Sequence, residues 1–197
     1  MLPTRLLRVA LVASAVFGVA CGDPTLAKAT YASGLATTTL YALTGAPPNV
    51  PTAISFLSGA SHANATFKFD VAFDLDAQNR VLVIPVRIVG GALAGPLKRV
   101  GLQVVPGGFE SLLEVPATGY DTLNVKTVQP GNVLAVEIQD ATACYSSYSL
   151  VVRTSQLIYA KLVIDSVDAG QRRIYTRSVV DPNCGYLGVV PDSVPRR

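Results

Sequence analysis

The stretch Thr66–Asp76, TFKFDVAFDLD, alternates apolar and polar side chains with a period of two residues. Its apolar positions are Phe67, Phe69, Val71, Phe73 and Leu75, and the positions between them are Lys68, Asp70, Ala72, Asp74 and Asp76. This alternation is typical of a β-strand with one face in the core and the other in water. The stretch therefore predicts a half-buried strand whose three aspartates lie on the solvent face.

The segments that follow repeat the pattern. VLVIPVRIV at 81–89 predicts a second strand, in which Pro85 marks an edge or a bulge because proline cannot donate to the ladder. RVGLQVV at 99–105 and the alternating residues 134–139 predict two more strands. Between them Gln129–Asn132, QPGN, has the proline and glycine that a type II turn requires.

The C-terminal third predicts three further strands, SYSLVVRT at 147–154, QLIYAKLVIDSV at 156–167 and RRIYTRSVV at 172–180. Asp168–Gly170 would join the last two as a hairpin loop with its glycine in the left-handed conformation. A helix over 154–166 is the alternative, because its apolar residues also fit a helical stripe. Short strands about ten residues apart indicate an all-β chain, an antiparallel β-sandwich of about eight or nine strands; a barrel is the other architecture with this spacing.

Residues 1–20 form a separate unit. Arg5 and Arg8 precede Val9–Ala20, an uncharged and mostly apolar run. About 12 residues are too few for a helix to cross a hydrocarbon core, which needs roughly 20. A basic flank, a short apolar run and small residues at its end are typical of a helical secretory signal peptide. A buried N-terminal helix is the alternative, but such a helix would carry polar positions along one face.

The end of this leader reads GVAC, residues 18–21, and resembles the lipobox of bacterial lipoproteins. The resemblance implies that Cys21 becomes the acylated, palmitate-bearing N-terminus of an exported, membrane-anchored protein. Gly18 stands where that family prefers leucine. Gly18 and Ala20 also fit ordinary signal peptidase, which would leave Cys21 unmodified.

Residues 21–35 are small and polar, and we expect them to be the lipidated cysteine and a flexible tether before a single domain over 36–197. Gly22 stands where lipoproteins retained at the inner membrane carry Asp, so the resemblance implies an outer-membrane lipoprotein facing the periplasm or the cell surface. Asp23, one place later, keeps the inner membrane open. Two acyl chains give stable anchoring where one is marginal.

The other two cysteines follow from that assignment. An exported protein meets an oxidising compartment, where an odd thiol is a liability. With lipid on Cys21, Cys144 and Cys184 remain as a disulfide pair, closing a loop of about 40 residues that the chain-entropy model values at roughly 4 kcal/mol. Metal binding is the alternative, but two thiols without a nearby histidine do not make a four-ligand set.

Charge limits the partners. The chain carries a net charge of +3, and loss of Arg5 and Arg8 with the leader reduces it to about +1. A nucleic-acid-binding surface needs a concentrated basic footprint, so the sequence predicts no nucleic-acid partner. No glycine-rich phosphate loop follows a predicted strand, and we expect no cofactor.

His62, in the loop SGASHANA, is the one histidine. A hydrolase would need it beside a serine such as Ser58 or Ser61 and a carboxylate such as Asp70 or Asp74. The chain has no G-x-S-x-G nucleophile elbow. A solvated loop histidine is the alternative that we favour.

Asp74 and Asp76 are the candidate calcium ligands. They lie at the predicted strand end, where the carbonyls of Ala77 or Asn79 would complete an oxygen set. DLDAQNR at 74–80 lacks the glycine of an EF-hand loop. A solvent face followed by a polar turn is the simpler interpretation, and we predict no metal site.

Tyrosines are frequent late in the chain, at Tyr145, Tyr148, Tyr159, Tyr175 and Tyr186. Exposed together, they would form a platform for a glycan or a peptide. Tyrosine is also favoured in strands for packing alone, and two of these residues flank the paired cysteines.

The sequence therefore predicts a non-catalytic binding or structural module of the cell envelope, held to a membrane by its N-terminal lipid, with an envelope protein or a glycan as partner. A carrier of a lipid or another hydrophobic ligand is the first alternative and requires an apolar cavity of several hundred Å³ in a half-open barrel. A hydrolase that uses His62 is the second.

Overall fold

The computed structural model describes residues 28–90, 98–140 and 157–196. The elements follow the chain as β1 Gly34–Tyr41, β2 Ala53–Ser55, β3 Gly59–Ser61, β4 Val71–Leu75, β5 Val81–Pro85, α1 Val86–Val89, β6 Lys98–Val105, β7 Lys126–Val128, β8 Val133–Asp140, β9 Leu157–Asp168 and β10 Arg173–Asp181. Within these ranges no helix has the length and apolar character that crossing a bilayer requires. The predicted signal peptide and the predicted strand at 147–154 lie outside the described residues.

The strands form two antiparallel five-stranded sheets packed face to face. The first sheet has the order β1-β10-β9-β8-β6 and the second sheet the order β3-β2-β4-β5-β7. The predicted antiparallel β-sandwich is thus confirmed, with ten described strands rather than eight or nine. Of these, β2, β3 and β7 are three residues long, too short for a period of two to be recognised. The strand β9 confirms the strand prediction over the helix alternative.

The core between the sheets is filled by large apolar side chains. Its fully buried members include Leu40, Phe69, Phe73, Leu102, Leu134, Ile158, Leu162 and Ile174. Phe69, Phe73 and their apolar neighbours come from the stretch that decided the fold, so that stretch supplies the centre of the core as predicted. Burial of one such side chain contributes about 1.5–3 kcal/mol relative to its exposure.

The outer face of the first sheet is covered too. Residues 106–125 cross it, and a second cluster forms there around Phe109, Val115, Val163 and Val189. Residues 187–189 join this cover, where Val115 N–H donates to the Leu187 carbonyl at 3.0 Å. This second layer explains why β9 is buried on both faces and shows no polar-apolar alternation along Ile158–Ile164.

The strand predicted over 67–76 is shorter than expected, and two of its predicted solvent positions, Asp70 and Ala72, are buried. Only Val71–Leu75 forms β4, and Asp70, just before it, is 2% exposed. Burial raises the pKa of Asp70, while the Lys98 ammonium at 2.7 Å and the Phe56 amide at 2.7 Å favour its charged form. An ion pair between the two sheets, which sequence periodicity cannot reveal, allows this carboxylate to leave the solvent.

The prediction for 81–89 was also wrong in its second half. The strand β5 ends at Pro85 and the helical turn α1 follows. The strand is interior, between β4 and β7, not at an edge. The missing N–H of Pro85 ends the ladder, and the next amide, that of Val86, donates to the Asp70 carbonyl at 2.9 Å.

Of the two predicted turns, one is confirmed and one is corrected. Gly131 has a φ of 87°, and Asn132 N–H donates to the Gln129 carbonyl at 3.0 Å, as a turn over QPGN requires. In the β9–β10 hairpin, Arg172 rather than Gly170 takes the left-handed conformation, with a φ of 53°. The left-handed conformation costs a non-glycine residue about 1–2 kcal/mol, and the Arg172 guanidinium pairs with Asp74 at 2.9 Å.

Candidate functional site

Of the three cysteines, only Cys184 lies in the part of the chain that the structure describes. Cys184 is disulfide-bonded, while Cys21 and Cys144 both lie outside the described residues. The lipidation of Cys21 and the Cys144–Cys184 pairing stay predictions.

His62 is not joined to a catalytic group in the part of the chain that the structure describes. Its Nδ1 lies 3.2 Å from the Val50 carbonyl. The two carboxylates considered with it are engaged elsewhere, Asp70 by Lys98 and Asp74 by Arg172. The described residues therefore do not assemble a serine–histidine–aspartate triad around His62.

The oxygens of Asp74 and Asp76 accept hydrogen bonds from the protein itself. Asp74 accepts from Arg172 at 2.9 Å and also from the Thr44 hydroxyl. Asp76 accepts from Arg80 Nε at 2.6 Å and from the backbone amides of Gln78 and Arg80 at 2.9 and 2.8 Å. Over the described ranges no group of three or more histidine, cysteine, aspartate or glutamate residues is placed to hold a metal ion.

The late tyrosines do not form one exposed platform. Tyr159 and Tyr186 are buried and Tyr175 is half-buried, while Tyr145 and Tyr148 lie outside the described residues. Tyr159 packs against Tyr120 with ring centroids 6.1 Å apart, and burial raises the pKa of Tyr159 to about 12. The described tyrosines of this set thus serve packing.

A buried lysine fixes the long crossing segment. Lys161, in the middle of β9, is fully buried, and its Nζ donates to the Phe109 and Leu112 carbonyls, both at 2.8 Å. The ammonium also lies 4.6 Å from the Phe109 ring centroid. Burial lowers the pKa of Lys161. Since its donors are directed at backbone oxygens and a ring face, this lysine holds residues 106–125 on the sheet rather than serving as a base.

A second polar cluster joins the start of the domain to its end. The Asn183 amide oxygen accepts from Thr30 N–H at 2.9 Å and Tyr31 N–H at 3.1 Å, and its Nδ2 donates to Asp181 at 2.6 Å. Asp181 is fully buried, and burial raises its pKa to about 6. Its second oxygen, Oδ2, has no hydrogen-bond partner among the residues that the structure describes. These contacts fix the chain at Thr30, inside the stretch predicted to be a flexible tether.

A cavity of about 760 Å³ lies between the chain ends, outside the core. Its lining includes the charged residues Lys28, Asp192 and Arg196, together with Tyr186 and Val194. This mixed polar lining, away from the space between the sheets, differs from the apolar interior of a half-open barrel that a hydrophobic-ligand carrier requires.

The remaining unusual feature is the free edge of β1. This strand pairs with β10 on one side only. Its even-numbered residues face β10, as shown by the Ala42 amide that donates to the Arg172 carbonyl at 2.9 Å in the same register. The amides and carbonyls of Leu35, Thr37 and Thr39 therefore point away from the sheet, and none of these groups is bonded to the rest of the described chain.

This open stretch is bounded at both ends. Ser33 N–H donates to the Ser193 carbonyl at 3.0 Å, and Asp192 N–H donates to the Ser33 carbonyl at 3.0 Å. At the other end Tyr41 N–H donates to the Pro51 carbonyl at 2.8 Å. We call Leu35–Thr39, the stretch between these two closures, the open edge.

The other three sheet edges are short or interrupted. The second sheet ends in β3 and β7, which have three residues each. The first sheet ends at β6 on its other side, where Leu102 and Asp121 exchange backbone hydrogen bonds of 2.9 and 3.1 Å. β6 also has eight residues and carries Lys98 and Arg99, whereas β1 has no charge and no backbone contact with the described residues on its outer side between Ser33 and Tyr41.

The open edge lacks the features by which natural edge strands avoid pairing with another chain. Natural edge strands usually carry a lysine, a proline or a bulge, whereas GLATTTLY has no charge and no proline. Its backbone pairs with β10 without a bulge over all eight residues. Leu35 is 50% exposed, and Gly34, Ala36, Thr37 and Thr39 are exposed with it. Sequence reasoning missed this surface because the first two residues of β1 were assigned to the tether.

Comparison of the chain with protein-family models, with curated proteins and with solved structures finds no match in any of the three.

Proposed function

We propose that this chain is an exported, non-catalytic binding module of the cell envelope, anchored by acyl chains on Cys21, that engages a partner through the open edge of β1. The observation that supports the proposal is the open edge itself, an uncharged stretch of backbone donors and acceptors that bond to nothing else in the described part of the chain. Free strand edges bind partners by strand addition, in which main-chain hydrogen bonds give the affinity.

The arrangement of the polar groups supports a role without catalysis. The described buried carboxylates and the buried lysine are held by the protein: Asp70 by Lys98, Lys161 by two carbonyls, and Asp181 by Asn183. A catalytic site would instead present perturbed groups in a cleft where a substrate can reach them. These groups join loops, sheets and chain ends to each other.

The anchor is tested by labelling and fractionation. In cells supplied with radioactive palmitate, the native chain should carry the label and sediment with the membranes. The matched variant Cys21→Ser should lose both the label and the membrane association, because one sulfur is proposed to carry the lipid. An unlabelled native chain that remains in the soluble fraction would contradict the anchored half of the proposal.

The binding half is tested with two variants at one position. Thr37→Pro removes an amide that faces solvent, whereas Thr37→Val keeps the backbone and the side-chain shape. From detergent-solubilised envelope the native chain and Thr37→Val should retain the same proteins, and Thr37→Pro should lose them. Retention of the same proteins by all three chains would show that the open edge is not the binding surface, and retention of glycan alone would assign a different partner class.

A further inference from the structure

We propose that the partner bound at the open edge is a short, extended and uncharged peptide segment of about five residues, with apolar side chains at the two positions opposite Ala36 and Thr38. This inference rests on the proposed function and names the chemistry of its ligand. It follows from three properties of β1: where its free hydrogen-bonding groups stand, where the edge is closed, and which side chains flank it.

The backbone sets the register of the ligand. The free groups of Leu35, Thr37 and Thr39 recur at every second residue, so an added antiparallel strand exchanges two hydrogen bonds with each of them. The ligand residues that face these three must be able to donate, and a proline or an N-methyl group at any of them removes a bond. The ligand residues between them direct their own N–H groups away from β1.

The two closures set the length. The segment around Asp192 occupies the next strand position at Ser33, and Pro51 occupies it at Tyr41. A longer straight strand would overlap both segments, so the ligand must turn away from the sheet after about five residues. The same closures exclude a second copy of this chain that pairs through its own β1. The β1 of that copy also extends past its two closures, and the segments that close its edge would overlap those of the first copy.

The side chains on the two faces of β1 set the composition. Leu40 points into the core, so the alternation of the strand places Ala36 and Thr38 on the same, inner face. Ala36 is small, Gly34 has no other atom within 4 Å of its Cβ position, and both residues are exposed. The second sheet therefore leaves room beside β1, which an apolar ligand side chain on this face would fill.

The outer face favours an uncharged ligand with β-branched residues. Thr37 lies beside Arg177 in the paired strand β10. The Arg177 guanidinium is already bonded to two carboxylates, Asp165 at 3.0 Å and Glu110 at 2.7 Å, so it is not available to an acidic ligand residue. Threonine or valine opposite Thr37 makes a favourable cross-strand pair without a charge.

The probe is a labelled synthetic peptide, acetyl-Lys-Thr-Val-Thr-Val-Thr-Lys-amide, whose terminal lysines lie beyond the open edge and keep it soluble. Its valines fall opposite Ala36 and Thr38. When the purified full chain is titrated into the labelled peptide, the fluorescence anisotropy should rise to a plateau. The dissociation constant should lie below about 1 mM, the weak end of specific affinity. Absence of binding over this range would overturn the inference.

Two matched control peptides test the register. N-methylation of the central threonine places a methyl group against Thr37 and should weaken binding at least tenfold. N-methylation of the valine after it places the methyl group on the far side and should leave binding nearly unchanged. Equal affinity of both methylated peptides would overturn strand addition. Replacement of both valines by aspartate should abolish binding, and unchanged binding would overturn the predicted composition.

Protein variants separate this inference from the proposed function. Thr37→Pro should lose the probe and Thr37→Val should keep it. If the probe fails while Thr37→Pro still loses its envelope partner, the peptide chemistry is wrong and the proposed function stands. If Thr37→Pro keeps its envelope partner, the proposed function fails. Concentration-dependent dimers of the native chain that Thr37→Pro abolishes would assign a second copy and overturn the peptide ligand.

Discussion

At the scale of single residues, the most informative side chains are polar ones that the fold has buried. The sequence pattern does not predict this burial. A period of two assigns ordinary positions, within a strand or at its end, to Lys161, Asp70 and Asp181. The partners of Asp70 and Lys161 come from distant parts of the chain, Lys98 and the Phe109 carbonyl. Sequence periodicity reports which face a residue occupies but not what lies against that face, so none of these roles was predictable.

Lys161→Met tests the attachment of residues 106–125. Methionine keeps the length of the apolar stem but leaves the Phe109 and Leu112 carbonyls without their buried donor. An unsatisfied buried acceptor costs about 1–3 kcal/mol, so the free energy of unfolding in urea should fall by at least that amount. Lys68→Met, at an exposed lysine, is the control and should change it by less than about 0.5 kcal/mol. Equal stability of the two variants would contradict the role of Lys161.

Asp181 should make stability depend on pH. Burial raises its pKa from 3.8 to about 6 in the folded chain, so the folded state holds this proton more tightly than the unfolded state. Its contribution is complete below pH 3.8 and is lost as the pH rises through 6. Relative to Asp181→Asn, the native chain should lose about 3 kcal/mol between about pH 4 and pH 7.

Urea denaturation of the native chain and Asp181→Asn across this pH range measures the difference directly, because contributions from all other groups cancel. A difference that stays constant, or that grows in favour of the native chain as the pH rises, would show that Asp181 is not held in its neutral form.

At the scale of elements, the strands with a clear period of two were predictable and the connections between them only partly. β6 and β8 form where strands were predicted, although Val104 is exposed and Ala135 is buried against the predicted alternation. The QPGN turn has its glycine where expected. The predictions failed where a tertiary contact decided the local structure. Pro85 ends β5 because the chain then turns toward Asp70, and Arg172 takes the left-handed conformation while it pairs with Asp74.

The orientation of β1 predicts opposite effects of proline at two adjacent positions. Thr37→Pro removes an amide that points away from the sheet, which an edge strand tolerates. Thr38→Pro removes an amide that points toward Thr176 of β10 and should lower the free energy of unfolding by about 1–3 kcal/mol more. Equal loss at both positions, measured by thermal or urea unfolding, would place the wrong face of β1 toward β10.

At the scale of the whole molecule, the first described residues and the open edge lie on different parts of the sandwich. β10 ends at Asp181 beside the start of β1 at Gly34, and the Asn183 contacts hold Thr30 and Tyr31 at this end. Thr30 and Tyr31 therefore lie at one end of the sandwich, while the open edge runs along its side.

The sandwich as a whole was predictable because its core depends on repeated alternation, most clearly around Phe69 and Phe73. The open edge was not predictable, because whether a strand edge is free depends on which segments lie beside it. The first two residues of GLATTTLY were assigned to the tether, and only the positions of Ser193 at one end of β1 and Pro51 at the other define the free stretch between them.

Hydrogen exchange of the β1 amides tests the central claim most directly. In the native chain without a partner, the amides of Leu35, Thr37 and Thr39 should exchange rapidly, while those of Ala36, Thr38 and Leu40, which face β10, should be protected. Addition of the peptide probe should slow the first set and leave the second unchanged. Uniform protection of all six amides in the free chain would show that the edge of β1 is already occupied and would contradict the account.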